Sequence, residues 1–135
     1  MKKIFIVLVC LIVLSFDLKA QNFYGSWGYR IDGNYVTVYG DEIQNQNNSG
    51  RTGTLKIALW ATDYPYTGGR ISGYNLFERK LEPLDASYYY YDVSKTGWCT
   101  YPPEGSYSLT ILLLEYISYD YQIVDYVTIN GYTRF

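Results

Sequence analysis

Pro102-Pro103-Glu104-Gly105-Ser106-Tyr107-Ser108-Leu109 runs straight into Thr110-Ile111-Leu112-Leu113-Leu114-Glu115-Tyr116. Proline supplies the fixed φ of a turn and glycine the permissive one, so the first four residues reverse the chain. Beyond the turn come β-branched, aromatic and leucine residues with no helix cap, which predicts a strand. Leu109, Ile111 and Leu113 share one parity, and Leu112, Leu114 and Tyr116 share the other. A strand apolar on both parities is expected at the centre of a sheet, covered on both faces.

Outward from this strand the pattern is alternation and turns, with no sustained helical period. Tyr24 to Ile31 carries Trp27, Tyr29 and Ile31 on one parity, and Asp32-Gly33-Asn34 turns the chain. Tyr35 to Ile43 sets Tyr35, Thr37 and Tyr39 against Val36 and Val38. The polar run from Gln44 to Gly53 is a loop. Thr54 to Ala61 alternates, with Leu55, Ile57 and Leu59 on one side. A second loop spans Asp63 to Gly69, and Ile71 to Arg79 is a short strand. Lys80 to Asp85 carries Pro83 and is expected to be a crossing or a poor edge. Ala86 to Val93 is a strand holding Tyr88-Tyr89-Tyr90-Tyr91, whose period sends two rings to each face. Tyr121 to Asn130 is the last strand, with a short tail to Phe135. About seven strands without helices predict an all-β fold, an antiparallel two-sheet sandwich.

Lys2 and Lys3 precede Ile4 to Phe16, apolar except for Ser15, and small Ala20 stands before Gln21. This is the pattern of a secretory signal peptide over 1–20, too short in its apolar run to span a bilayer, which takes ~20 residues. Cys10 lies inside that run after Val9, which argues against lipid attachment there. A single domain over 21–135 is expected to be exported, to the periplasm, the cell surface or the medium, with no membrane insertion after cleavage. It carries eight Lys/Arg and twelve Asp/Glu, a formal charge of −4 with no basic run. That composition disfavours nucleic acid and anionic membrane as partners. Cys99 is the one cysteine left after cleavage, so it is expected to be buried or to bridge two chains.

Gly105-Ser106-Tyr107-Ser108-Leu109 resembles the start of the sixth strand in immunoglobulin-like and fibronectin-like modules. A tyrosine hydroxyl there bonds back to backbone at the sheet corner. The wider pattern resembles the immunoglobulin-like accessory domains of secreted bacterial proteins of cell-adhesion-related type. Its elements are Ser49-Gly50, Thr54-Leu55-Lys56-Ile57-Ala58-Leu59-Trp60-Ala61, Tyr66-Thr67-Gly68-Gly69, Gly73-Tyr74, the Pro-Pro-x-Gly-x-Tyr turn and Val124-Asp125-Tyr126-Val127. The resemblance covers most of 35–129 and implies an immunoglobulin-like sandwich with an adhesive or binding role.

The chain has no histidine. This removes Ser-His-Asp and Cys-His catalysis and His-ligated metal sites. Cys99 has no base to activate it. Paired carboxylates remain, from Asp41, Glu42, Glu115, Asp120 and Asp125, as the route to a hydrolase. Asp63, Glu115, Asp120 and Asp125 are the candidates for calcium, but no EF-hand loop is present. Asp125, between Val124 and Tyr126, needs a bonded partner. No catalytic residue, metal site or cofactor is expected.

Tyrosine stands outside ordinary composition: 18 residues, all beyond residue 20, joined by Trp27, Trp60 and Trp98. Most such rings form cross-strand pairs. Those left on the surface are flat, with a polar tip, suited to stacking on sugars or anchoring proteins. Tyr64 and Tyr66, flanking Pro65, and Tyr88, Tyr89, Tyr90 and Tyr91 are the candidate ligand-binding residues. The expectation is a non-catalytic binding or adhesion module for an envelope polysaccharide or a cell-envelope protein. A self-associating structural subunit, a homo-oligomer formed through an open edge or a Cys99 bridge, is the second class. A small carboxylate-dependent hydrolase is the third.

Overall fold

The computed structural model describes residues 21–135. The expected signal peptide over 1–20, with Cys10, lies outside the described residues. Eight strands succeed one another: β1 Gln21–Asp32, β2 Tyr35–Asn45, β3 Leu55–Thr62, β4 Tyr74–Leu81, β5 Tyr89–Trp98, β6 Ser106–Ile117, β7 Asp120–Thr128 and β8 Thr133–Arg134. Among the described residues there is no helix. One sheet has the order β1-β2-β5; the other runs β4-β3-β6-β7, with β8 paired to the start of β6. All pairings are antiparallel. The all-β two-sheet expectation is met.

The core lies between the sheets. Val36 and Val38 of β2 meet Ile57 and Leu59 of β3 and Leu109 and Ile111 of β6. Trp27, Tyr29 and Ile31 close over them from β1. Each fully buried aliphatic side chain contributes ~1.5–3 kcal/mol from the area it removes from water. β6 is central and buried on both parities, as its composition requires. Its second face is covered by the β3–β4 loop, which lays Tyr66 and Ile71 over Ala58 and Leu112. The five-stranded sheet therefore carries a third layer on its outer side.

The strand boundaries differ from the periodicity: β1 starts at Gln21 rather than Tyr24, and β4 runs Tyr74–Leu81 rather than Ile71 to Arg79, so Lys80 and Leu81 belong to an edge strand. Three further differences lie in β2, β5 and the tail. β2 continues through Gln44 and Asn45, residues polar enough to look like loop. β5 begins at Tyr89 and extends to Trp98, because Ser94 to Gly97 pair with β2 despite their weak strand propensity. The tail folds back after Gly131 as β8, where Gly105 and Phe135 exchange both backbone hydrogen bonds. Phe135 stacks near Tyr101 and Tyr107. At the same corner the Tyr107 hydroxyl donates to the Pro103 carbonyl, 2.8 Å away.

A bulge in β1 and a change of inward parity in β2 and β5 bend the three-stranded sheet at its middle. Val36 and Val38 point inward, but so do Ile43 and Asn45, so the inward parity of β2 switches near Asp41. β5 switches at the facing Asp92, whose φ is +45°. β1 accommodates the bend with a bulge between Tyr24 and Trp27, where Gly25 sits at φ +76°. Glycine takes that conformation without steric cost.

Candidate functional site

Among the described residues, nothing covers the outer face of the three-stranded sheet. Alternate register rows place Tyr24, Glu42 and Tyr91 side by side, and Asn22, Gln44 and Tyr89 beside them. The strand periodicity that sends Tyr90 inward sends its two neighbours out. Tyr89 is 42 % and Tyr91 62 % exposed. Their rings meet edge to face with centroids 4.3 Å apart, and the Tyr91 hydroxyl donates to that of Tyr89. That bond, reinforced by nearby Glu42, pushes the Tyr91 phenol up to about 12.

A line of side-chain hydrogen bonds fixes this end of the face. The Gln46 amide donates to the Tyr24 hydroxyl and, at 3.5 Å, to Gln44 Oε1. Gln44 Nε2 donates in turn to Glu42 Oε1 at 3.2 Å. Amides held this way keep donors and acceptors oriented before any ligand arrives, which lowers the entropic cost of binding.

Toward the other end, a hollow of about 390 Å³ opens at the bend, lined by Ser26, Gly28, Tyr39, Asp41, Asp92 and Ser94 among others. Asp41 is tied there by the Ser26 N–H at 2.8 Å. Beyond it the Thr37 and Thr96 hydroxyls bond at 2.7 Å, and Tyr35 meets Trp98 edge to face at 5.7 Å. Tyr35, Tyr39 and Trp98 are all exposed. The face spans about 30 Å along β2, from the rise of a strand over nine residues.

The other expected binding residues are dispersed. Tyr88 is exposed just before β5, on the rim of the platform. Tyr90 turns toward the core and donates to the Glu82 carbonyl at 2.6 Å. Tyr64 stands 79 % exposed at the opposite end of the sandwich, on the β3–β4 loop. Tyr66 is only 8 % exposed: its ring packs on Tyr126 and its hydroxyl donates to the Gly69 carbonyl. Burial raises its phenol. Tyr64 and Tyr66 therefore form no joint surface, because the loop spends one of them as its anchor.

Most of the candidate carboxylates accept from backbone N–H groups. Asp125 accepts from the Phe23 N–H at 2.8 Å, tying β7 to the edge of β1, which is the partner its apolar setting demands. Buried Glu115 accepts from the Gly53 N–H at 2.8 Å. Asp120 accepts from the Tyr121 N–H. Asp63, beyond the end of β3, lies at the opposite end of β6 from Asp120. Cys99 is buried, and desolvation pushes its thiol up.

Sequence patterning does not mark Tyr24, Glu42, Gln44, Gln46, Tyr39 and Trp98 as binding residues. The alternation of Tyr35, Thr37 and Tyr39 against two valines does indicate the outward side of β2. Its continuation past Gly40 is hidden by the change of parity. No protein-family model matches the chain, and no curated protein or solved structure is significantly similar to it.

Proposed function

We propose that this chain is a secreted, non-catalytic binding module that holds an extended envelope polysaccharide along the outer face of β1, β2 and β5. One observation carries the reading: this face, uncovered among the described residues, bears exposed rings at both ends, oriented amides at one of them and a hollow between. Ring faces stack on the C–H faces of sugars while amide and carboxylate groups meet the hydroxyls. The mechanism is stacking and hydrogen bonding, without a reaction. Of the carboxylates named as hydrolase candidates, Asp41, Glu115, Asp120 and Asp125 accept from backbone N–H groups at separate places and Glu42 accepts from the Gln44 amide, which disfavours a hydrolase.

The immunoglobulin-like reading of the sandwich has two supports. In the usual lettering β1-β2-β5 corresponds to strands A, B and E, and β3-β6-β7 to C, F and G, with β4 beside C rather than E. The Tyr107–Pro103 bond has the form of a tyrosine corner.

Self-association is the lesser reading. Asp125 occupies a donor at the β1 edge, Arg79 caps the Thr96 carbonyl on β5, and Cys99 is buried. Blunted edges of this kind oppose strand addition.

Retention of the purified protein on insoluble polysaccharides and on whole envelope material tests the reading. Retention on a defined glycan should fall at least tenfold in Tyr89→Ala/Tyr91→Ala, with the unfolding transition preserved. Capture of an envelope protein, with no glycan retained, would replace the sugar reading by a protein-binding one.

A further inference from the structure

We infer that Tyr89 and Tyr91 form an oxidative cross-linking site, at which a peroxidase-type one-electron oxidant joins the two phenols into an intrachain dityrosine. The inference does not depend on what the face binds.

Four tyrosine pairs are in ring contact among the described residues, and they differ in geometry and access. Tyr89 and Tyr91 are the closest, at 4.3 Å between centroids. Tyr66 and Tyr126 come next at 4.8 Å, but Tyr66 is buried under its loop. Tyr116 and Tyr121 lie at 5.3 Å across the β6–β7 hairpin, and Tyr74 and Tyr107 at 5.8 Å, with Tyr107 buried. Among these, the Tyr89–Tyr91 pair alone combines hydroxyl-to-hydroxyl contact with exposure of both rings.

That contact decides the chemistry. The unpaired electron of a tyrosyl radical is shared between the oxygen and the ring carbons ortho and para to it, and the para carbon is blocked by the side-chain attachment. The ortho carbons flank the C–OH group, so two hydroxyls in contact bring the reactive carbons to their nearest approach. The strand holds this arrangement, since residues two apart share a face.

Each phenol loses one electron and one proton to the oxidant. The two radicals then form a carbon–carbon bond between ortho positions. Loss of the two ortho hydrogens as protons, with return of protons to the oxygens, restores both aromatic rings. Hydrogen peroxide, acting through the peroxidase haem, takes up the two electrons and two protons and leaves as two waters.

The test treats the purified protein with a haem peroxidase and hydrogen peroxide, isolates the monomer and digests it with trypsin. The Leu81–Lys95 peptide, which contains Tyr88 to Tyr91, should become lighter by two hydrogens. It should give no backbone fragments from cleavage between Tyr89 and Tyr91. Blue dityrosine fluorescence should accompany the change. Tyr89→Phe and Tyr91→Phe should abolish it, while Tyr90→Phe should leave it. An unaltered peptide in the monomer, a link persisting in Tyr89→Phe, or equal yield from protein unfolded in urea would overturn the assignment.

Discussion

The indole of Trp27 lies across Gly40, its register partner on β2: a Cβ at Gly40 would fall 2.0 Å from Trp27 Cδ2. The next row reverses the arrangement on the other face, where the Tyr39 ring lies over Gly28. Two adjacent cross-strand pairs thus give each side of the sheet one ring and one vacant position. The Trp27 indole N–H donates to the Tyr24 carbonyl at 3.0 Å, and Phe23 packs against the ring at 4.4 Å. The indole is therefore locked where the sheet bends, beneath the candidate binding hollow.

Gly40→Ala should destabilise the protein by about 1–3 kcal/mol, the cost of forcing a methyl into a filled site. Gly28→Ala should cost less, because its methyl would meet the hydroxyl end of exposed Tyr39 at 3.0 Å, and that tip can swing into solvent. Urea unfolding of both variants checks the ordering. A Gly40→Ala midpoint equal to that of the parent would show that Trp27 is free to move.

The β6–β7 hairpin turns on Ser118 and Tyr119, both at positive φ, +49° and +81°. A turn of this form favours glycine, and a non-glycine residue there costs ~1–2 kcal/mol. Tyr119 is 92 % exposed, so no packing contact repays the strain. Tyr119→Gly should stabilise the chain by about 0.5–1 kcal/mol, after the larger unfolded-state entropy of glycine is subtracted. A Tm raised by a few degrees is the expected result; a lowered Tm would contradict it.

Tyr91 ionises late because its neutral form donates to Tyr89, with burial and Glu42 adding to the effect. A folded-state value near 12 exceeds the unfolded value near 10, so this contribution to stability is fully present below pH 10. It is lost as the pH rises through about 12. In Tyr89→Phe the acceptor is gone, and Tyr91 should titrate closer to 10. Phenolate absorbance, compared with Tyr91→Phe to isolate the group, reads the difference. Identical curves for parent and Tyr89→Phe would exclude the hydroxyl pair.

Much of the architecture is written locally. The double apolar parity of Leu109 to Leu114 requires a central strand with two covers, and the structure supplies the sandwich core on one side and the β3–β4 loop on the other. The Pro-Pro-Glu-Gly turn and Tyr107 mark the corner. Tyr89 and Tyr91 can be paired by period alone. Three features cannot be found that way. Gln44 and Asn45 look like loop until the pairing with Gln21 and Asn22 extends the strand. Ser94 to Gly97 become strand through β2, and Thr133-Arg134 through β6.

The strand pattern, the central strand and a surplus of tyrosine too large to bury are all legible in the chain itself, because side-chain period and apolar content are properties of short segments. Which rings are available is settled by packing in three dimensions. Tyr66 is spent holding a loop over β6, while Tyr24, Tyr89 and Tyr91 converge on one open face. The parity of β2 and β5 reverses at Asp41 and Asp92, and a bulge at Gly25 lets β1 bend with them. Which way a strand faces after a bend depends on its neighbours' register and on what packs behind it, and neither is encoded within the strand.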